Sequence, residues 1–380
     1  MCCVCSKLKT LNFFQLQTKI MADALKDMFN KRFYERLGDG FSKADKNFKR
    51  DQFVKDVQKG TEEMSLNQRL RNTSVTLRHH LPADYKKAAA LVLEVAPAFG
   101  GYTALVFPDF VGLYGHDHPE LSLEALKELT PYSSSEFAIR EYLKRDPDKT
   151  LKAMYKWAEH TNPHVRRLAS EGSRPRLPWS FSLDMIAKNP ELTKPILERL
   201  KSDPELYVKK SVANHLNDFS KNQSEWMLNL INSWDKKNEH TAWIIKHASR
   251  TLIKKGDARS LAVFDFEKNV KISVENLSLK KNKIKLGEQL EFSFDVISEK
   301  NKSQKLVVDY AIHYAKKSNE SSRKVFKLKE LELKPGAVEK ISKKQLFKDF
   351  TTRKHYAGKH VLEILINGKS YGKKEFMLVV

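Results

Sequence analysis

Residues 162–180 read NPHVRRLASEGSRPRLPWS, a turn and then a helical pattern that breaks at two prolines. The helix carries a single carboxylate, Glu171, and the indole of Trp179 follows the prolines. Guanidinium groups suit phosphate oxygens, whereas a carboxylate weakens a surface that only binds a polyanion. The segment therefore predicts chemistry on a polyanion, with four candidate phosphate-binding residues: Arg166, Arg167, Arg174 and Arg176.

The same pattern returns twice further along the chain. DPELYVKKSVAN begins at Asp203 and HTAWIIKHASR begins at His240. When the three segments are superposed, Val165, Val208 and Ile245 are equivalent, at spacings of 43 and 37 residues. HEAT-type helical repeats have a period of about 40 to 47 residues. The sequence therefore predicts a solenoid of stacked helix pairs with a concave face.

Basic residues fall at matching positions of these repeats. We expect them to line one side of the concave face, where a phosphate backbone would contact them. The alternative is that they lie on the convex, solvated face. The residues are Arg166 and Arg167, Lys209 and Lys210, and Lys246 and His247.

Composition agrees with a nucleic-acid partner. The 69 Lys and Arg residues exceed the 47 Asp and Glu residues, for a formal net charge of +22 over 380 residues. This excess is larger than solubility requires. The alternative is a ribosome-associated or generally cationic protein whose scattered lysines form a solvated coat.

The hydrophobic pattern changes near residue 266. Residues 21–266 show helical periodicity, whereas residues 267–380 show short alternating runs separated by turn residues, among them Asn367-Gly368. Six or seven strands in this length predict an immunoglobulin-like sandwich, with Val308 and Tyr310 facing its core. The fold class is a multidomain chain, an all-α HEAT-like solenoid followed by an all-β Ig-like sandwich. The sandwich loop FTTRKHYAGKH, residues 350–360, allows two interpretations: the sandwich is an auxiliary DNA-binding domain, or it only stabilises the protein.

The amino-terminal residues 1–20 are predicted to be an extension, because MADALKDMFN from Met21 resembles a natural start. All three cysteines lie in it, so the folded body has no disulfide framework and no thiol nucleophile. A lipidation or metal tag is the alternative for CCxC. No apolar run approaches membrane-spanning length, and a cytoplasmic setting is predicted.

Four segments in order resemble the AlkC branch of the AlkC/AlkD alkylpurine DNA glycosylases, and the resemblance covers nearly the whole chain from Met21. It implies a bacterial enzyme that excises cationic N-alkylated bases, chiefly 3-methyladenine with 3-methylcytosine as a further candidate, from double-stranded DNA. It also implies that the base is not flipped into a pocket. The segments are SSSEFAIR at 133–140, residues 162–180, DPELYVKKSVANHLNDFSK at 203–221 and WIIKHASRTLIKKG at 243–256.

The resemblance places the family's site residues on five positions: Glu136, Arg167, Glu171, Trp179 and Asp218. The chemistry is coherent, because a 3-alkylated adenine leaves as a neutral base and needs no general acid. Carboxylates near the deoxyribose would stabilise its oxocarbenium-like transition state and orient water. Glu171 and Asp218 are the leading candidates for this work, and the ring of Trp179 would face the sugar or the cationic base.

Each of these residues has a structural alternative. Glu136 follows three serines and would favour a helix amino terminus, and Glu171 would pair with Arg167 four residues earlier. Asp218 would form a turn near a helix end, and Trp179 would lie in the core between repeats.

No metal or cofactor site is predicted. No lysine is a candidate Schiff-base nucleophile, so the expectation is a monofunctional hydrolase. A monomer is also expected. Two other classes remain open. One is a non-catalytic DNA-binding scaffold with the same basic face, and the other is a protein-interaction solenoid.

Overall fold

The computed structural model describes residues 25–264, 266–267, 269–316, 321–349 and 354–380. The predictions for residues 1–20 and for residues 350–353 of the FTTRKHYAGKH loop lie outside the described residues. Among the described helices, none is long and apolar enough to cross a bilayer. The described residues also contain no cluster of three or more His, Cys, Asp or Glu side chains suited to a metal ion.

The described chain forms two compact units that meet in sequence between Ala248 and Ser249. The predicted boundary at residue 266 marks where helical periodicity ends, but two short helices before it belong to the same unit as the sandwich. One reason is a close approach of backbones, because a Cβ added at Gly368 would lie 2.1 Å from Cα of Gly256. Only glycines allow this contact, and hydrophobic periodicity does not reveal it.

The helical unit is built from paired helices. Three short 3₁₀ turns interrupt the series, one of them at Thr103–Leu105. The α-helices are α1 (Lys31–Ala44), α2 (Arg50–Val57), α3 (Leu66–His80), α4 (Tyr85–Val95), α5 (Val106–Tyr114), α6 (Pro119–Leu129), α7 (Ile139–Arg145), α8 (Pro147–Trp157), α9 (Pro163–Gly172), α10 (Asp184–Lys188), α11 (Lys194–Leu200), α12 (Leu206–Phe219), α13 (Ser224–Asn232), α14 (Glu239–Ala248), α15 (Arg250–Lys254) and α16 (Ala258–Ala262). The last two helices of the series, α15 and α16, belong to the second unit.

Helices of successive repeats stack on one another. Helix α3 packs against α5 and α5 against α7, and further along α9 packs against α12 and α12 against α14. Val165, Val208 and Ile245, the equivalent positions of α9, α12 and α14, are all buried. The HEAT-like repeat architecture predicted from the spacing is confirmed.

The second unit contains two β-sheets. One has the strand order β1-β3-β6 and the other β2-β8-β7-β4-β5, and all pairs are antiparallel except β2 with β8. Within residues 269–380, the described strands include two that the alternation did not reveal, the short β2 and the lysine-rich β6. The strands are β1 (Ile272–Leu279), β2 (Lys283–Lys285), β3 (Gln289–Ser298), β4 (Gln304–Ala315), β5 (Ser321–Leu333), β6 (Val338–Leu346), β7 (Gly358–Ile366) and β8 (Lys369–Val379).

The sandwich core follows the predicted alternation. Val308 and Tyr310 of β4 lie in one apolar cluster with residues of both sheets, among them Phe294 and Leu362. The Asn367-Gly368 turn joins β7 to β8 with both residues at positive φ, 48° and 78°, as a type I′ hairpin requires. The Ig-like sandwich is confirmed.

Two histidines of the FTTRKHYAGKH loop are structural. His355 and His360 are buried, and both rings pack against Tyr314 and Phe347. Nδ1 of His355 also lies 3.1 Å from a carboxylate oxygen of Asp349. These two side chains therefore stabilise the sandwich and are not placed to hold a DNA backbone.

Asp309 on β4 gives the sandwich a pH-dependent stability. The residue is 1% exposed, and neither carboxylate oxygen has a hydrogen-bond partner among the described residues. Burial raises its pKa to about 6, with Lys254 and Lys327 partly opposing the shift. This pKa lies above the ordinary value of about 3.9 in an unfolded chain. The contribution of Asp309 to the free energy of unfolding is therefore fully present below about pH 4 and is lost as the pH rises through about 6.

We therefore expect Asp309→Asn to raise the melting temperature of the sandwich at pH 7.5, by several degrees, and to abolish the decline between pH 4 and pH 6. The amide removes the buried charge but keeps the side-chain shape. Thermal scans of the full chain by circular dichroism across this pH range measure both effects. Asp295→Asn, at a partly exposed site on β3, is the control, and equal behaviour of the two variants would contradict the assignment.

Candidate active site

The structure gathers the predicted acids and two of the arginines at one place in the helical unit. Glu136 precedes α7, Arg167 and Glu171 lie on α9, Arg174 lies two residues after the end of α9, and Asp218 lies in the last turn of α12. Residues far apart in sequence meet there because α9 and α12 pack side by side. We call these five residues the charge chain, because their acidic and basic groups alternate in space.

Every link of the charge chain is an ion pair. Arg167 Nη2 lies 2.6 Å from Oε2 of Glu136 and 3.7 Å from Oε1 of Glu171. Arg174 Nη1 lies 2.7 Å from the same Glu171 oxygen, and Arg174 Nε lies 2.9 Å from Oδ2 of Asp218. The predicted intrahelical ion pair of Glu171 with Arg167 is thus present. Glu171 also lies in one network with the other two predicted acids, Glu136 and Asp218.

One oxygen of each leading acid remains uncommitted. Among the described residues, Glu171 Oε2 and Asp218 Oδ1 make no hydrogen bond. Burial raises the pKa of the Asp218 carboxyl above its ordinary value, and Arg174 opposes part of that shift. The arrangement presents two carboxylate oxygens, held by one guanidinium, to a cation or a water molecule.

Arg174 does not have the surface position expected of a phosphate-binding residue. Its side chain is only 8% exposed and bridges Glu171 and Asp218. Burial disfavours its charge, but the hydrogen bond with Asp218 and the attraction of both carboxylates raise its pKa overall. The residue positions the two acids.

The other predicted phosphate-binding residues divide into two groups. Arg166 is held within the protein: Nε lies 2.6 Å from Asp203, and Nη1 donates to the carbonyl oxygens of His160 and Thr161. The rest lie nearer solvent. Arg176 lies 3.0 Å from the Asn222 amide, and Lys209 Nζ lies 3.2 Å from His240 Nδ1. Lys210 and Lys246 are exposed. The His247 ring stacks on the Trp243 ring, with 3.6 Å between the ring centroids.

Trp179 lies on the loop of residues 173–183, which follows α9, and it is not a core residue. It is 84% exposed, and its φ of 66° is a conformation that costs free energy for any residue except glycine. The base of the loop is closed by the Leu183 amide, which donates to the Pro175 carbonyl, and by the burial of Leu177. The structure thus holds the indole in a strained, solvent-facing position, which favours a role in contact with a ligand.

Arg140 on α7 holds this loop, a role that the sequence did not reveal. The side chain is completely buried, and its guanidinium donates to the carbonyl oxygens of Gly172, Arg174 and Phe181. Burial, and next the repulsion from Arg174, lower its pKa to about 10, so it remains charged at neutral pH. The available signal was its place in the SSSEFAIR segment, four residues after Glu136.

Three further side chains support the charge chain. Ser134 Oγ donates to Glu136 and accepts from Arg167, and the Tyr207 ring lies under Arg167 with 4.5 Å between Cζ and the ring centroid. His215 is fully buried, and its Nδ1 lies 3.0 Å from the carbonyl oxygen of Ser170, the residue before Glu171. Burial lowers the pKa of His215 to about 3, so the ring is neutral.

We expect Trp179→Gly to leave the stability of the helical unit unchanged or slightly higher while it reduces function. Glycine relieves the positive φ, and an exposed ring contributes little to packing. If the indole contacts the DNA ligand predicted from the sequence, DNA binding should weaken about tenfold, as for loss of one stacking side chain. Parallel thermal scans and DNA titrations measure this. A fall in melting temperature would show instead that the ring packs against the protein.

The fold and this geometry define a helical-repeat protein with an Ig-like carboxy-terminal domain and a buried network of acids and arginines. Residues 132–252 match the family model of the DNA alkylation repair enzymes. Residues 273–380 match the model of the YhaZ carboxy-terminal Ig-like domain.

Two relatives match nearly the whole chain. The uncharacterized protein YhaZ of Bacillus subtilis (strain 168) is 40% identical over 359 residues, which are 94% of this chain and all of the relative. The solved structure of the alkylpurine DNA glycosylase AlkC of Pseudomonas fluorescens, bound to DNA containing an abasic site analog, is 43% identical with a TM-score of 0.91, over 94% of this chain and 99% of that one. The chain belongs to the AlkC-type family of alkylpurine DNA glycosylases.

Proposed function

We propose that this protein hydrolyses the N-glycosidic bond of cationic alkylated bases in double-stranded DNA, chiefly 3-methyladenine and also 3-methylcytosine, without flipping the base into a pocket. The observation that carries the proposal is the charge chain, which gathers three carboxylates in a protein of net charge +22. Family membership and the DNA-bound AlkC structure support it.

The mechanism requires only side chains of this chain. The alkylated base carries its own positive charge and departs as a neutral molecule, so the enzyme must stabilise the sugar cation that remains. The uncommitted oxygens of Glu171 and Asp218 supply negative charge at that point, and one of them orients and deprotonates the attacking water. Trp179 lies against the sugar or the cationic base.

The partner is the DNA duplex, and the monomeric protein would act at the bacterial nucleoid. Exposed lysines on α12 and α14, among them Lys210 and Lys246, are placed on successive stacked helices. Contacts of this kind with phosphates release counterions, so DNA affinity should fall steeply with salt.

A second candidate, a non-catalytic DNA-binding scaffold, is favoured by one observation. Arg174 already satisfies one oxygen of both Glu171 and Asp218, as a structural ion-pair network would. A scaffold, however, gains affinity for a polyanion when it loses these acids, whereas a glycosylase loses turnover. The two functions therefore predict opposite outcomes for substitutions of the acids.

The deciding experiment incubates the protein with duplex DNA methylated by a simple alkylating agent and identifies the released bases by chromatography. Release of 3-methyladenine, with abasic sites left in intact strands, supports a monofunctional glycosylase. Strand cleavage at those sites would contradict the monofunctional assignment. Tight DNA binding with no released base would support the scaffold.

A further inference from the structure

A cavity of about 630 Å³ lies within the helical unit, apart from the ion pairs of the charge chain. Its walls come from α3, from α5, from the segment that leads into α7, and from the tip of the residue 173–183 loop. The wall residues in and around α5 recur at helical spacing and so share one face. They are Leu105, Asp109, Gly112, Leu113 and His116. This volume is in the range of small-molecule sites. We call it the side cavity.

The side cavity adjoins the candidate active site through two shared residues. Ser134, whose hydroxyl bonds to Glu136 and to Arg167, forms part of its wall, and so does the exposed Trp179. A planar group released at the charge chain therefore has a partly open cavity next to it.

The wall is aromatic and carries no net charge. Tyr102, Phe137, Phe181 and Trp179 are among the residues that line it. Its ionised groups balance, because Arg71 forms an ion pair of 2.9 Å with Asp109, and Glu141 and Arg145 carry opposite charges. In a protein of net charge +22, a neutral aromatic cavity does not suit phosphate. It suits an uncharged ring that stacks.

Two polar atoms of the wall residues lack a partner. Oδ2 of Asp109 and Nδ1 of His116 are buried without a hydrogen bond from any residue that the structure describes. An unpaired buried polar group is costly, so a ligand that pairs with it gains affinity. An aminopurine offers amine N–H donors and ring-nitrogen acceptors. A rotation of the Asp109 carboxylate toward the cavity would pair it with such an amine.

We propose that the side cavity binds an unpaired purine base. This inference rests on the proposed function, because the base is either the one released at the charge chain or one that the distorted duplex leaves unpaired. The ring stacks between the aromatic walls, and its amine pairs with Asp109. The site would retain the neutral base beside the abasic DNA. The bound base would thereby delay restacking of the distorted duplex.

The test uses the full chain and two probes. The first is free adenine, titrated by calorimetry. The second is a duplex with 2-aminopurine opposite an abasic-site analogue, followed by fluorescence. Leu113→Trp fills the cavity, and Phe137→Ala removes one wall; both positions are partly exposed, and thermal scans verify folding. Tyr132→Ala, in the same segment but outside the cavity wall, is the matched control.

We expect Leu113→Trp to abolish binding and Phe137→Ala to weaken it about tenfold, with Tyr132→Ala equal to wild type. Binding of free adenine with this variant pattern supports the inference and identifies the released base as the source. The same pattern with the duplex probe alone supports it with a base still in the strand. Binding of neither probe, an equal response of all three variants, or displacement of the base by inorganic phosphate overturns it.

Base release from methylated duplex is measured on the same preparations. If the wild type releases base but the side cavity binds neither probe, the cavity inference fails alone. If the wild type releases no base, the proposed function fails whatever the probes show.

Discussion

Glu171→Gln and Asp218→Asn are each expected to slow the release of methylated base about 10²–10³-fold, as loss of one preorganised electrostatic group does, while DNA affinity stays equal or increases. The amides keep the size of the side chains but remove the negative charge that stabilises the sugar cation. Single-turnover release of 3-methyladenine and titration of a duplex with an abasic-site analogue measure the two effects separately. The expected combination, lost turnover with retained binding, distinguishes an enzyme from a scaffold.

The pH profile gives an independent measurement. Only the ionised form of Asp218 stabilises a cation, and burial raises its pKa. The wild-type rate should therefore rise with pH through that raised pKa, and Asp218→Asn should lose this acid limb. Glu159→Gln, at an exposed glutamate paired with Arg199, is the control and should match wild type. Unchanged release by both acid variants would refute the mechanism.

Arg174→Met is expected to lower the free energy of unfolding of the helical unit by about 3–5 kcal/mol, the usual cost of removing one partner of a buried ion pair. Methionine retains the apolar stem, but Glu171 and Asp218 then face each other without the cation that bridges them. Arg174 lowers the pKa of Asp218, so without it that carboxylate would bind a proton more readily and base release should also fall. Urea denaturation followed by circular dichroism measures the stability change.

The neighbouring Arg176 offers a matched control, because it is partly exposed and makes no link of the charge chain. Arg176→Met should cost less than about 1 kcal/mol. Adding Glu171→Gln and Asp218→Asn to Arg174→Met should recover part of the lost stability, since these two positions then carry no buried charge that lacks its partner. If the two methionine variants were equally stable, Arg174 would not be the residue that holds the acids.

The sequence predicted those features that depend on local spacing. Val165, Val208 and Ile245 were placed at equivalent buried positions by the repeat period, and Asn367-Gly368 by its turn chemistry. The gathering of Glu136, Glu171 and Asp218 followed from the family resemblance, since spacing alone also allowed structural roles for each of them.

Features that depend on long-range packing were not predictable. Arg174 lies among arginines that look alike in sequence, and only the packing of α9 against α12 decides that it points inward to Asp218. Arg140 contacts residues 32 to 41 positions away. Strand β6 carries several lysines on its exposed positions, so its alternation is weak.

The charge chain also determines the distance at which the acids act. Each carboxylate lies within 4 Å of an arginine, and the three carboxylates and two arginines together leave a net charge of −1, so at a distance the group acts as one screened negative charge and not as three. A phosphate about one Debye length away, roughly 10 Å at moderate salt, therefore feels little repulsion from the buried acids. A sugar cation in contact with the uncommitted oxygens feels their nearest charge. A strongly basic protein can thus attract a polyanion and still present negative charge to one atom of it.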